Sequence, residues 1–348
     1  MYSEASKGIS LVLSVVSLIL SATLYVNYGE AVATAAVSLP IIAEESTDYA
    51  AQEVGFIFSK AQTETDVQES AKSDTKTQEK TSKNEKKQGK ITSQYLTPYN
   101  ANTSYNNIYV NNQSGEKINI KKLISGYSSG VEIKSKEPQV LIMHTHATEN
   151  YVRHDGDYYF KSDLQRTSNE NFSVLGVGEK LKETLENGGI SVLHDKTLHD
   201  SPSYSGSYNR SAVTVQNYLK KYPSIKVVLD VHRDAFGGEK ELIKPVKEID
   251  GKTAAQVMVC IGSETGIVDD FPNWRENLKL GLKLQQTMEV MYPGLARALY
   301  LSYEHTYNQN LFEGSIIIEF GTNGNSFSEA KYSAELVGKA LVTLFKNQ

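Results

Sequence analysis

The stretch Gln139-Val-Leu-Ile-Met-His-Thr-His-Ala-Thr-Glu-Asn-Tyr151 decides how the chain is read. Val140 to Met143 is a short continuous apolar run, the pattern of a buried strand. The run breaks into His144, His146 and Glu149, so metal-capable chemistry stands where a strand ends. In open α/β sheets, ligands bind outside the carboxyl ends of the strands. His146-x-x-Glu149 also has the spacing of a short zinc-ligand pair, an imidazole followed by a carboxylate.

Two later apolar runs end in the same way. One runs from Ile225 to Val231 and leads into Asp230-Val-His232-Arg233-Asp234. The other, Ser315-Ile-Ile-Ile, ends at Glu319 and is followed by Phe-Gly-Thr-Asn-Gly-Asn. Between and around these runs lie segments with helical periodicity, over 171–187, 211–222, 274–291 and 328–346. Gly188-Gly189 closes the first, Pro223 ends the second, and Ser328 is the N-cap candidate of the last. Further strands are expected at 190–193, 257–261 and 299–303. Alternating strands and helices predict an α/β fold with a mostly parallel central sheet and helices on both faces. In such a sheet the three polar ends fall on one edge.

A catalytic zinc takes three protein ligands and leaves a fourth position for water. His146, a carboxylate and His232 supply the three. Glu319 is the natural catalytic base, since a carboxylate at the end of Ile316-Ile-Ile is costly to place there without a task. Two carboxylates compete for the metal. Glu149 follows His146 directly and is favoured by spacing, while Glu170 stands just before the first long helix. His144 competes with His146 as the imidazole ligand, or serves as its neighbour. His305 and Arg233 are candidates for contact with substrate or oxyanion. His154, His194 and His199 fall in expected loops and read as surface residues.

Composition narrows the class. The single cysteine, Cys260, makes no internal disulfide and no Cys-x-x-Cys zinc pair, so any metal site must use His, Asp and Glu. A net charge of -5 gives no reason to expect nucleic acid as a partner. From Gly8 to Val26 the chain carries no charge, close to the length a membrane-spanning helix needs. Lys7 ahead of it orients the bulk of the chain outward. A cleaved signal peptide with Ala31-Val-Ala33 as its processing site is the rival reading. From 44 to about 94 the chain changes character: Thr65 to Lys87 is nearly free of large apolar residues, and the segment reads as a disordered spacer. The expected organisation is an anchor over 1–30, a polar linker over 31–104 and a folded domain over 105–348.

These motifs resemble the stage II sporulation protein P family, membrane-anchored peptidoglycan hydrolases of endospore-forming bacteria. The resemblance rests on Pro138 to Tyr151, Leu229-Asp-Val-His-Arg-Asp-Ala235, Tyr307-Asn-Gln-Asn-Leu311 and Ile318 to Ala330. It implies a fold similar to the zinc N-acetylmuramoyl-L-alanine amidases, of the phosphorylase/hydrolase-like type. There a His, a Glu and a second His bind Zn2+ and a late Glu is catalytic. The implied ligands here are His146 or His144, Glu170 and His232, with Glu319 as the catalytic residue. Glu170 replaces Glu149 in this assignment because the amidases place their ligand Glu at the start of the next helix. The amidases also carry an Asp-Pro-Gly-His-Gly turn that this chain lacks, which leaves His144 and His146 as alternatives. The resemblance further implies cleavage of the muramoyl-alanine amide and of stem-peptide cross-links during forespore engulfment. Its implied partners are stage II sporulation protein D, a lytic transglycosylase, and stage II sporulation protein M. The implied location is the mother-cell membrane, as a single-pass protein facing the intermembrane space. Two other classes fit the residues: a zinc carboxypeptidase acting on stem peptides, and a non-catalytic wall-binding scaffold.

Overall fold

The three apolar runs fold into neighbouring strands of one sheet. The structure is a computed structural model that describes residues 85–238, 240–264 and 270–347. The expected anchor over 1–30 and most of the expected linker lie outside these residues. Among the described residues no helix is long and apolar enough to cross a membrane.

In chain order the first elements are β1 (Lys87–Gln94), β2 (Thr103–Tyr105), β3 (Ile108–Asn112), α1 (Ile120–Ile124), β4 (Val140–Met143) and β5 (Tyr158–Phe160). Next come α2 (Val174–Asn187), β6 (Val192–His194), α3 (Ser207–Lys221), β7 (Val227–Asp234) and β8 (Gly237–Gly238). The chain continues through β9 (Glu241–Ile249), β10 (Lys252–Ala255), β11 (Val257–Ile261) and α4 (Trp274–Met291). It closes with β12 (Leu299–Leu301), β13 (Ser315–Thr322) and α5 (Phe327–Lys346).

The main sheet has eight strands in the order β2-β3-β12-β11-β13-β7-β4-β6. From β6 to β13 the strands are parallel, so β4, β7 and β13 end on the same edge. The direction reverses at β11, which pairs with β13 antiparallel. The sheet is therefore mixed, with its parallel half carrying the three polar strand ends. Helices cover both faces. Val140 and Ile142 of β4, Val227, Leu229 and Val231 of β7, and Ile316 and Ile318 of β13 pack into one core with residues of α2, α4 and α5. The alternate residues Leu141, Met143 and Val228 pack against Val215 of α3. Each fully buried side chain of this size stabilises the fold by about 1.5–3 kcal/mol. Period-two alternation carries the α3 face on through Asp230, His232 and Asp234, and through Glu319.

The helices follow their sequence signals with small shifts. α2 buries Val174, Val177, Leu181 and Leu185 and stops at Gly188. The N-cap of α5 falls two residues before the expected Ser328: Ser326 caps the helix and forms a capping box with Glu329. Reciprocal bonds between Ser326 and the Glu329 backbone and side chain satisfy the backbone donors of both residues.

A second, smaller sheet has the order β10-β9-β1-β5, with β8 paired to β9. It corrects the expected linker, which does not extend to 104. Lys87–Gln94 is a strand, parallel to β9 over Lys90–Gln94 and antiparallel to β5. Its side chains are mostly exposed and only Ile91 is buried, so composition gives no sign of it. The ladder hydrogen bonds hold it instead. The β9–β10 hairpin also escaped the periodicity reading. Asp250-Gly251 makes its turn with positive φ at both residues, the Asp-Gly signature of a tight hairpin.

Candidate active site

Beyond Met143 the chain leaves β4 in a turn that places His144 and His146 in different surroundings. His144 keeps the alternation of Ile142 and points toward α2. Its Nδ1 lies 2.8 Å from the Val231 carbonyl and its Nε2 lies 2.8 Å from His194 Nε2. His194 Nδ1 continues to Glu179, at 3.1 Å. Gly178 on α2 admits this pair, since a Cβ there would lie 2.7 Å from His144 Nε2. Burial, then the neighbouring His194, lowers the His144 pKa to about 3. His144 is thus a neutral, fully partnered histidine. Of those expected at the surface, His199 is buried and His194 is half-buried with its ring enclosed. His199 Nδ1 lies 2.8 Å from the His144 carbonyl, and its Nε2 lies 2.9 Å from Thr214 Oγ1.

His146 turns the other way. Its ring stands edge-on to that of His232, with centroids 5.3 Å apart. Glu149 comes to the same place: its Oε2 lies 3.6 Å from His232 Nδ1 and accepts from the Arg233 backbone N–H at 3.1 Å. Burial pushes the Glu149 pKa up, but the His232 contact and charge and the Arg233 charge outweigh it. The carboxyl therefore stays well below the usual carboxylate range. His232 Nε2 stands 2.8 Å from Asp230 Oδ1, without hydrogen-bond alignment. Asp230 is held by the Thr145 backbone N–H and hydroxyl. Burial alone would lower the His232 pKa. Asp230 and Glu149 reverse this and raise it well above the ordinary histidine value.

Glu319 is the Cα partner of His232 across the β13–β7 ladder, which puts the two side chains on one face. Tyr151 donates to the Phe320 carbonyl and steadies that strand end. Burial pushes the Glu319 pKa up to about 8; the His232 charge opposes this and the Asp234 and Glu149 charges add to it. Asp234 itself pairs with Arg297 at 2.9 Å.

Among the described residues, four buried side-chain polar atoms lack a hydrogen-bond partner. Three are His146 Nδ1, His232 Nε2 and Glu319 Oε2. An unsatisfied buried polar atom costs about 1–3 kcal/mol; His232 Nε2 still has the Asp230 carboxylate at 2.8 Å, so His146 Nδ1 and Glu319 Oε2 are the two that mark a region held open for something else. Two imidazoles and a carboxylate are also the donor chemistry of a catalytic zinc site. In kind the residues fit that metal. Among the described residues, no three His, Cys, Asp or Glu groups are gathered at metal-binding spacing.

The remaining expectations divide. Glu170 is a correction: it is exposed and binds Lys196 Nζ at 2.8 Å, on the His194–Glu179 side and away from His232. Its place before α2 turns it to solvent, while Glu149 reaches inward. Arg233 spends its guanidinium on the Asn150 and Asp234 carbonyls. His305 packs edge-on to Tyr307, which packs on Tyr208, which in turn meets His146; two rings separate it from the cluster. The sequence places Asp230 at its strand end without a role and gives no sign of Tyr204. Asp230 sits two residues from His232 on the same strand face, a signal the alternation carried. Tyr204 lies in a loop with no local pattern, yet its hydroxyl is 2.8 Å from His146 Nε2.

The fold and the site together define a class: an α/β protein with a buried histidine–carboxylate centre at the carboxyl edge of three parallel strands. The chain belongs to the stage II sporulation protein P (SpoIIP) family, whose model matches residues 38–342. Stage II sporulation protein P of Bacillus subtilis (strain 168) is 29% identical over 208 residues, 56% of this chain and 48% of that protein. This chain thus matches about half the length of that relative. Among solved structures, the CwlD amidase of Clostridioides difficile in complex with the GerS lipoprotein is 12% identical with a TM-score of 0.39. That match covers 60% of this chain and 96% of the amidase. An N-acetylmuramoyl-L-alanine amidase from Clostridium difficile 630 is 14% identical, with a TM-score of 0.38, over 62% of this chain and 100% of that one.

Proposed function

We propose that this protein hydrolyses peptidoglycan in sporulation, at the amide between N-acetylmuramic acid and L-alanine, with Zn2+ held by His146, Glu149 and His232. Cleavage of stem-peptide cross-links belongs to the same proposal, as do an anchored position in the mother-cell membrane and work beside stage II sporulation proteins D and M. Family membership supports the setting. The observation that carries the chemistry is Glu319: buried, opposite His232 in register, with one oxygen unpartnered and its pKa pushed up to about 8 by burial.

Zinc bound there would polarise the scissile carbonyl and acidify a water. The chain's own groups do the rest. Glu149, held ionised by His232 and the Arg233 backbone N–H, offers a fixed negative charge. Asp230, clamped by Thr145, orients the His232 ring. Glu319 takes the proton of the attacking water and returns it to the leaving amine, a task for which a pKa near ambient pH is best suited. The surrounding burial keeps bulk water from competing with the water that reacts.

The test is digestion of purified peptidoglycan by the full-length protein, with products resolved by mass spectrometry. Release of intact stem peptides with new L-alanine amino termini supports amidase action, and cleaved cross-bridges support the endopeptidase. Loss of only the terminal stem residue would replace the proposal with a carboxypeptidase. No product and no zinc uptake would leave a wall-binding scaffold.

A further inference from the structure

We propose that Tyr204 is a positioning residue for His146. Its phenolic oxygen accepts the Nε2–H of the imidazole and so leaves Nδ1 unprotonated and turned into the cluster. The inference rests on the reading of His146 as a zinc ligand, and it adds which nitrogen does the binding and what decides that.

A neutral imidazole carries one N–H, and the hydrogen bond made by one nitrogen sets the state of the other. His146 Nε2 lies 2.8 Å from Tyr204 Oη, and His146 Nδ1 is buried with no partner. The two rings stack within 10° at a centroid distance of 4.3 Å, so the phenol restrains the whole imidazole plane. The Arg166 guanidinium also lies over the phenol, 4.5 Å from the ring centroid. Arg166 binds Asp200 at 2.9 Å, and Asp200 accepts from the Thr148 hydroxyl and backbone N–H. Thr148 belongs to the same turn as His146. The contacts therefore form a closed circuit: His146, Tyr204, Arg166, Asp200, Thr148 and back. The loop bearing Tyr204 is itself tied down. Ser207 Oγ donates to the Tyr204 carbonyl, and Arg210 donates to the Ser203 and His199 carbonyls. A phenol stacked on the imidazole and held by Arg166, with its oxygen on Nε2, has the geometry of an orienting group.

The experiment compares the full-length wild type with Tyr204→Phe, which keeps the ring and its stacking and removes only the oxygen. In the metal-stripped protein, the 15N shifts of His146 are expected to show a protonated Nε2 and an unprotonated Nδ1, and the variant is expected to lose that preference. Zinc affinity, measured by chelator competition, is expected to fall about 10–100-fold in the variant, the usual effect of losing a group that orients a ligand. An Nδ1–H tautomer in the wild type, or the same tautomer and zinc affinity in both proteins, overturns the role of Tyr204. A wild type that shows the expected tautomer but takes up no zinc supports the positioning and breaks the zinc reading instead.

Discussion

His144 and His146 stand two residues apart at the end of one strand, and both are buried, yet they belong to opposite kinds of cluster. The His144 side is saturated: each ring nitrogen has a partner at 2.8 Å, and the chain of contacts runs on through His194 to Glu179. On the His146 side, His146, His232 and Glu319 each leave a buried atom without a hydrogen bond. Folding alone rewards the first arrangement and penalises the second. On the proposed reading, the difference separates histidines that serve the structure from those kept for chemistry, which neither burial nor sequence proximity does.

The largest expected effect falls on the unsatisfied side. Glu319→Gln keeps the shape and removes the base, so peptidoglycan hydrolysis is expected to drop about 10²–10⁴-fold. Product release at the wild-type rate would move the base elsewhere and end the assignment. The comparison then breaks most sharply in a crossed pair. His144→Ala leaves His194 Nε2 and the Val231 carbonyl unpartnered and is expected to destabilise the fold by about 1–3 kcal/mol. Zinc uptake by its folded fraction should persist. His146→Ala should abolish zinc uptake, at a stability cost of its own from the lost Tyr204 stacking and hydrogen bond, so zinc uptake by the folded fraction is what separates the two. Thermal unfolding and a metal titration on each variant read both halves. Equal loss of zinc in the two would erase the distinction between the clusters.

The three strands at the centre were legible in the sequence because each is a continuous apolar run, and their parallel pairing followed from the intervening helices. Glu319 and His232 were legible for the same reason, as polar residues at the ends of such runs. The choice between His144 and His146 was harder, although parity held a clue. His144 continues the alternation of Ile142 into the α2 face, whereas Asp230, His232 and Glu319 share the α3 face. Using that clue requires knowing which helix covers which face, and a single sequence does not contain it. Glu170 is assigned by resemblance, from its place before a helix; that place does not fix which way the side chain points, and its Lys196 pairing has no signal in the sequence. β1 was invisible because backbone hydrogen bonds, rather than apolar side chains, place it.

A smaller effect separates the two sides by pH. Glu319 has a folded pKa of about 8, raised chiefly by burial from an ordinary 4.5. Between those values the folded protein retains a proton that the unfolded chain has lost, so metal-free stability falls as pH rises through that window. Below about pH 4.5 both states are protonated and the penalty vanishes. Glu319→Gln cannot ionise, so its stability should decline less between pH 5 and pH 8. Urea unfolding of the two metal-free proteins across that range checks the sign. Parallel slopes would mean that Glu319 ionises freely in the folded state, and the case for it as a base tuned by burial would fail.

The smallest effect is expected at Glu170, and it is informative for that reason. The family resemblance assigns Glu170 to the metal, whereas the structure gives it to Lys196, with the carboxylate about half exposed. Exposed ion pairs contribute about 0–1 kcal/mol, since solvent screens the attraction and ordering two long side chains offsets it. Lys196 keeps Glu179 at 2.9 Å when Glu170 is removed, so even that small contribution is partly retained. Glu170→Gln should therefore shift unfolding by less than about 0.5 kcal/mol and leave zinc affinity and hydrolysis unchanged. Glu149→Gln, in the same assays, should lose zinc, because it removes the carboxylate beside His232. If the outcomes exchange, with Glu170→Gln losing the metal and Glu149→Gln keeping it, then the segment before α2 must swing inward on binding. The saturated side of the strand end would then take part in the chemistry that the comparison assigns to its neighbour.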